Sequence, residues 1–230
     1  MKIKEIEAKL YANIIQSREV TKSSFKNTPQ VEVVVLLLDL VASTNHRFYR
    51  GPRAAYERAE VFFYLVHHVF GYARSINIVK ELGDGILAVG TDRRQALEAC
   101  LLIKIIEPLI SRILPDEVFP FSIKIGLGFG GVKHLDRPKV DFLGEAIDEI
   151  SKILSDSTSV KSFVLSRSFF EKSKDMITDY PFLTVGNLRW WRDSSDGIVH
   201  EPVDYYPLHI DSDAMSEWDN RFEPWIASTQ

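Results

Sequence analysis

The stretch Val33-Val-Val-Leu-Leu-Leu-Asp39-Leu-Val-Ala-Ser-Thr44 carries the first decision about the fold. Continuous Val and Leu suit a strand covered on both faces, so residues 32–39 are predicted as a buried strand. That strand ends abruptly in an acid followed by small residues. A second acid stands in Lys80-Glu-Leu-Gly-Asp84-Gly85. There a Gly-Asp-Gly turn separates two short strand-like runs, 76–81 and 86–90, which is a hairpin signal.

Working outward, Pro52 suits the start of a helix to about Tyr72, with Ala55, Ala59, Phe62, Phe63, Val66 and Val69 on its apolar side. Thr91 or Asp92 can cap a helix to about Leu114, interrupted or kinked near Pro108. Residues 121–128 alternate Phe121, Ile123, Ile125 and Leu127 with more polar neighbours and read as a strand. The order is strand, helix, strand, strand, helix, strand: an α+β, ferredoxin-like βαββαβ arrangement. In that arrangement the first two strands run parallel, and right-handed crossovers constrain the geometry. The end of the first strand and the hairpin after the second then share one edge of the sheet. Asp39 and Asp84 are therefore expected at that edge, as a carboxylate pair suited to holding divalent cations against a triphosphate.

Additional α/β elements are predicted beyond this unit. Leu143 to Ser155 reads as a helix with Ala146, Ile147, Ile150 and Leu154 inward. Residues 160–165 read as a strand, Ser166 as the cap of a helix over Phe169 to Lys174, and 183–191 with 198–208 as a closing hairpin. Before it, residues 1–30 read as a helix, with Ile6, Leu10, Ile14 and Ile15 on one face, plus a linker. Residues 31–210 form the main domain, and 211–230 an acidic, aromatic tail with Trp218, Phe222 and Trp225.

Composition narrows the function classes. A net charge of −4 argues against a dedicated duplex-binding protein, whose affinity rests on Lys and Arg meeting phosphates. It leaves room for one metal-complexed nucleotide. The single cysteine, Cys100, rules out a disulfide framework within the chain and falls in an apolar helical pattern, as a buried small hydrophobe would. The N-terminus lacks a secretory apolar core, and no run approaches the roughly 18–20 apolar residues of a membrane span. A cytoplasmic location without nucleic-acid or membrane partners is the expectation.

Each candidate residue also has an ordinary reading. An acid at a strand end can simply cap the next turn, and Asp-Gly is a favoured hairpin turn whatever the function. Only the shared edge lifts Asp39 and Asp84 above that. The small members of Leu40-Val41-Ala42-Ser43-Thr44 would let successive amides approach phosphate oxygens. Lys80 and Asp141 alone suit solvated positions; facing each other across a pocket, a cation and a carboxylate read one hydrogen-bonding edge of a base. Gly126-Leu-Gly-Phe-Gly-Gly131 superficially matches a dinucleotide fingerprint, but its glycines come late in a strand, as in a bulged or closely packed strand. His67 and His68 lack metal-ligand spacing, and Trp190-Trp191 suits packing or an interface.

Together these segments resemble the class III nucleotide cyclases, which convert a nucleoside triphosphate to a 3′,5′-cyclic monophosphate and diphosphate. Leu38-Asp39-Leu-Val-Ala-Ser-Thr44 is similar to the family's first metal-aspartate motif, and Lys80-Glu-Leu-Gly-Asp84-Gly to its hairpin motif. Ile125 to Val132 is similar to its glycine-rich strand, and Asp141-Phe-Leu-Gly144 to the segment with its second base-reading residue. The resemblance implies two Mg²⁺ or Mn²⁺ ions on Asp39 and Asp84, with Leu40 beside the first, and Leu40 to Thr44 against the phosphates. It also implies a head-to-tail homodimer in which one subunit supplies the metal pair and the other supplies Lys80 and Asp141. Two positions depart from the family: Asp148 stands where Asn usually orients the ribose, and Lys152 where Arg usually stabilises the α-phosphate. Lysine keeps the charge and loses the planar fork.

Lys80 with Asp141 is the family's adenine-reading pair, yet the same pair can satisfy cytosine or uracil, so pocket depth must decide. His46-Arg47-Phe48-Tyr49-Arg50 is bulky where the family's first helix approaches the base. This segment, the compact build and the two departures resemble the pyrimidine cyclases of the bacterial anti-phage system Pycsar, whose cyclic UMP or cyclic CMP activates an effector. UTP is the favoured substrate, with Tyr49 as the size filter against purines. The alternatives are a cytidylate cyclase, an adenylate cyclase, and a nucleotide-binding regulatory subunit favoured by Asp148 and Lys152.

Overall fold

The computed structural model describes residues 15, 27–116, 118–135, 141–155, 163–191 and 203–211. Its first unit runs β1 (Gln30–Leu40), α1 (Ser43–Tyr72), β2 (Ile76–Leu82), β3 (Gly85–Gly90), α2 (Arg93–Ile113) and β4 (Ile123–Leu135). There follow β5 (Asp141–Leu143), α3 (Glu145–Ser155), β6 (Phe163–Ser166), α4 (Arg167–Ile177), β7 (Leu183–Val185), β8 (Arg189–Trp191) and β9 (Val203–Ile210). The strands form one sheet in the order β2-β3-β1-β4-β6-β9-β7, with β5 added to β4 and β8 to β9. Because β1 and β2 both run antiparallel to β3, they are parallel to each other, as the ferredoxin-like arrangement requires.

The apolar run of β1 is central because both its faces are covered. Val34, Leu36, Leu38 and Leu40 enter the larger core under α1 and α2, with Phe62, Val66, Leu97 and Leu101. Val33 and Val35 enter a second core beneath α3, with Val89, Ile150 and Leu154. Each such side chain contributes roughly 1.5–3 kcal/mol on full burial. Cys100 is buried in the larger core, as its pattern suggested. Asp92 caps α2 by accepting from the amides of Arg94 at 2.8 Å and Gln95 at 3.1 Å. The helix then runs through Pro108 without interruption.

Helix α1 begins at Ser43, nine residues before the predicted start at Pro52, and breaks at Gly51 with φ 86° and ψ 170°. Proline disfavours helical geometry in the residue before it, and glycine tolerates the positive φ. Pro52 thus opens the second of two helical segments, and the bulky 46–50 stretch belongs to the first.

Strand β4 is longer than the predicted 121–128 and pairs with β1 along its length, from Gln30↔Lys133 to Leu40↔Ile123. Its glycines serve close packing. A Cβ at Gly126 would lie 2.6 Å from Ile150 Cγ1, and one at Gly128 would lie 3.3 Å from the Ala146 carbonyl oxygen. α3 therefore rests directly on the strand backbone, which bears out the packed-strand reading of the glycine run.

At the far edge, residues 183–191 form two short strands instead of one. β7 pairs with residues 208–210 and β8 with 203–205 of β9. Pro207 sits opposite the break, where it has no N–H to donate and only its carbonyl accepts, from Gly186 N at 2.8 Å. Ser166 caps α4 through the Phe169 amide at 3.2 Å, and the helix runs past the predicted Lys174 to Ile177. Residues 160–162, 198–202, the side chains of Trp190 and Trp191, and nearly all of the predicted leader and tail lie outside the described residues. Among the described residues, no helix is long and apolar enough to cross a membrane.

Gly126→Ala is expected to destabilise the protein by about 1–3 kcal/mol, because the added methyl meets Ile150 and Leu154 across two packed backbones. Urea denaturation of the variant against the parent protein measures this directly.

Candidate active site

Asp39 lies opposite Gly85 on β3 and opposite Lys124 on β4, on the sheet face that carries α3. A Cβ at Gly85 would come within 3.5 Å of Asp39 Oδ1, so the absence of a side chain there leaves room beside the carboxylate. One residue earlier, the Asp84 backbone carbonyl accepts from Leu40 N at 3.1 Å. The Asp84 side chain accepts a hydrogen bond from Ser43 Oγ through Oδ2. The edge predicted from topology is therefore real: both half-buried acids meet around Leu40 and Ser43.

The loop between β1 and α1 turns sharply. Ala42 is left-handed, at φ 57° and ψ 26°, a conformation that costs a non-glycine residue about 1–2 kcal/mol. Val41 on its N-terminal side is held at both polar groups: its N–H donates to Ser122 O at 2.9 Å, and its carbonyl accepts from Arg58 Nη2 at 3.0 Å. Ser43 and Thr44 then open α1, whose first amides have no side-chain cap. Leu40, Ser43, Thr44, Arg47, Tyr56 and Asp84 contribute to the wall of a cavity of about 550 Å³.

The electrostatics fit a cation site. The Asp39 carboxyl is pushed up from 3.8 to about 6, first by burial and then by the charge of Asp84, with Lys124 pulling the other way. Two adjacent carboxylates, one of them costly to ionise, form an oxygen donor set that a hard divalent ion would stabilise. Among the described residues no group of three or more His, Cys, Asp or Glu side chains gathers as a metal site, so the remaining ligands would be backbone, water or substrate oxygens.

The base-reading candidates lie elsewhere on the sheet. Lys80 is exposed on β2 and pairs with Leu87, which puts it on the α3 face. Asp141 opens β5, which is paired to β4 and also approaches β2. The strands bearing Lys80 and Asp141 thus come near each other. Asp148, exposed, and Lys152, half-buried, stand one turn apart on α3. Tyr49 is 68% exposed and stacks on Phe119 at 5.6 Å between ring centres.

Two residues missed by sequence reasoning belong to this region. Lys124 is the register partner of Asp39, a pairing set by a strand about 85 positions away, and such pairings leave no local signal. Arg58 did leave one: it falls on the apolar stripe of α1 with Ala55, Ala59 and Phe62, where a charged residue is out of place.

Solved structures of similar fold include the guanylyl cyclase Cya2, with a TM-score of 0.62 at 16% identity, covering 79% of this chain and 93% of that one. The chain has the fold of nucleotide cyclase catalytic domains. The adenylate/guanylate cyclase/hydrolase from Silicibacter pomeroyi matches with a TM-score of 0.60 at 17% identity, over 79% of this chain and 98% of its own. The adenylyl cyclase CyaB from P. aeruginosa matches with a TM-score of 0.58 at 14% identity, over 80% and 96%. No protein-family model and no curated protein matches the chain.

The raised Asp39 pKa has a defined sign. Between about pH 4 and pH 6 the folded protein holds a proton on Asp39 that the unfolded chain has released, so metal-free stability falls as pH rises through this window. Asp39→Asn is expected to flatten that slope and to stabilise the metal-free protein at pH 7 by about 1–2 kcal/mol, discounted for partial exposure. Urea midpoints measured from pH 4 to pH 7 test both.

Proposed function

We propose that the protein is a class III nucleotide cyclase that converts UTP to 3′,5′-cyclic UMP and diphosphate. The observation carrying this reading is the meeting of Asp39, Asp84 and the Leu40–Ser43 loop in a cyclase fold. In the reaction the ribose 3′-oxygen forms a bond to the α-phosphorus, the bond from the α-phosphorus to the bridging oxygen breaks, diphosphate leaves and the 3′ proton passes to solvent. Mg²⁺ or Mn²⁺ bound by Asp39 and Asp84, with Leu40 contributing backbone oxygen, would acidify the 3′-hydroxyl and neutralise the phosphates.

The chain's own groups then divide the work. The first amides of α1, which no side-chain cap covers, would offer their partial positive charge to phosphate oxygens. Lys124, beside Asp39, adds a full positive charge on the same face. A second copy of the chain, arranged head to tail, would supply Lys80 and Asp141 to the base edge, with Asp148 and Lys152 toward the ribose and α-phosphate. The nearness of β2 and β5 within one chain supports Lys80 and Asp141 acting as a pair.

The choice of pyrimidine rests on bulk. Phe48 and Tyr49 are 81% and 68% exposed at the opening of α1, and their rings meet edge to face at 5.1 Å. Tyr49 is braced from behind by Phe119, so it would present a rigid aromatic wall to a base carried in by the second copy. The product would serve as a second messenger to an effector in anti-phage defence, by resemblance to the Pycsar cyclases.

Incubation with each of the four ribonucleoside triphosphates and Mn²⁺, followed by mass analysis, is expected to yield cyclic UMP. Cyclic CMP or cyclic AMP as the main product would reassign the base. Absence of any cyclic product would favour the regulatory-subunit alternative. Asp39→Asn or Asp84→Asn is expected to lower turnover ~1000-fold, the scale of several kcal/mol of lost charge stabilisation. Tyr49→Ala is expected to admit ATP or GTP; unchanged purine exclusion would remove Tyr49 from that role.

A further inference from the structure

We infer that Arg58 is a positioning residue that sets the conformation of the Val41–Ser43 loop and, through it, the cation affinity of the Asp39–Asp84 pair. The inference rests on the reading of that pair as the metal site. Arg58 is 4% exposed, in the middle of the apolar side of α1. Its guanidinium spends its hydrogen bonds on three neutral carbonyls: Val41 O at 3.0 Å, Phe119 O at 2.6 Å and Pro120 O at 2.9 Å. Its Nε finds no partner among the described residues. It also lies 5.7 Å from the centre of the Phe121 ring.

A buried guanidinium whose hydrogen bonds all go to carbonyls, with Asp116 acting on its charge only through space, is costlier to hold than the leucine or methionine that would fill the same stripe. What an aliphatic residue cannot do is tie two loops together with a planar fork. The tie is made where the candidate site needs it. Val41 is gripped from both sides by the segment before β4, its carbonyl through Arg58 and its N–H through Ser122 O. Ser122 is anchored in turn by Glu107, whose Oε1 accepts from Ser122 Oγ at 2.8 Å. The next residue, Ala42, holds its left-handed conformation, and the one after, Ser43, donates to Asp84. The path runs from Arg58 to the Val41 carbonyl, to the Ala42 turn, to Ser43 and to the second acid. Each link is a covalent neighbour or a hydrogen bond. Released from the fork, Val41 and Ala42 can relax toward ordinary backbone geometry, and Ser43 leaves Asp84.

The test compares Arg58→Met, which keeps length and apolar packing, with Arg58→Lys, which keeps the charge and loses the fork. Mn²⁺ binding to the nucleotide-free protein is followed by the paramagnetic resonance of free Mn²⁺, with Asp39→Asn as the control for a lost ligand. Melting of the metal-free proteins is recorded alongside. A positioning role predicts that Arg58→Lys melts close to the parent protein yet binds Mn²⁺ roughly 10-fold more weakly, and Arg58→Met roughly 100-fold more weakly, as for other groups that orient metal ligands. Parental Mn²⁺ affinity in folded Arg58→Lys overturns the inference, even if Arg58→Met fails to fold. The binding measurement needs no turnover, so a protein inactive on every nucleotide loses the cyclase reading and leaves this comparison intact. A parent protein that binds no Mn²⁺ overturns both.

Discussion

The pairing of β1 with β3 is the constraint from which the rest of the site follows. Opposition of Asp39 to Gly85 leaves the carboxylate uncrowded, and it brings the next β3-side residue, Asp84, within reach of the Leu40 amide. A slip of one residue would turn Asp39 into the core under α1 and α2 and expose Leu38 and Leu40 to the other face. The cost of burying a carboxylate among Leu36, Ile86 and Ile125 sets the register, so the hydrophobic cores and the acid pair specify the same alignment.

Tension between burial and charge runs through the molecule. Asp39 is held where ionisation is costly, Arg58 where its hydrogen bonds go to carbonyls and Asp116 acts on its charge only through space, and Glu107 where Lys104, Ser122 and the Ile123 amide surround it. None of these positions is explained by packing alone. Arg58 and Glu107 lie on the apolar stripes of α1 and α2, and both converge on the short segment before β4. That segment is the common support of the loop after β1. The fold therefore places its buried charged side chains, Arg58 and Glu107, behind the candidate site.

The other side of the site depends on the glycines of β4. With no side chains at Gly126, Gly128 and Gly130, α3 settles against the strand backbone, and Asp148 and Lys152 ride on a helix whose height is fixed by that contact. The same strand carries Lys124 to Asp39 at one end and pairs with Asp141 at the other. A single long strand thus links three groups of candidate residues.

The ferredoxin-like order, the strand ending at Asp39 and the Gly-Asp-Gly hairpin were legible in the amino-acid sequence, because apolar periodicity, turn chemistry and crossover handedness are local or topological rules. The start of α1 was not, since it depends on Ala42 adopting a left-handed turn that its own side chain disfavours and that Val41's distant partners hold in place. The break between β7 and β8 was also hidden, because it comes from Pro207 on a strand reached only through the fold. Sequence by itself determined that two acids would share an edge. Only the tertiary structure decided which cations stand beside them, that Lys124 faces Asp39 and that Arg58 braces the loop. Those contacts join segments far apart in the chain, and their strength comes from burial, which no single segment possesses alone.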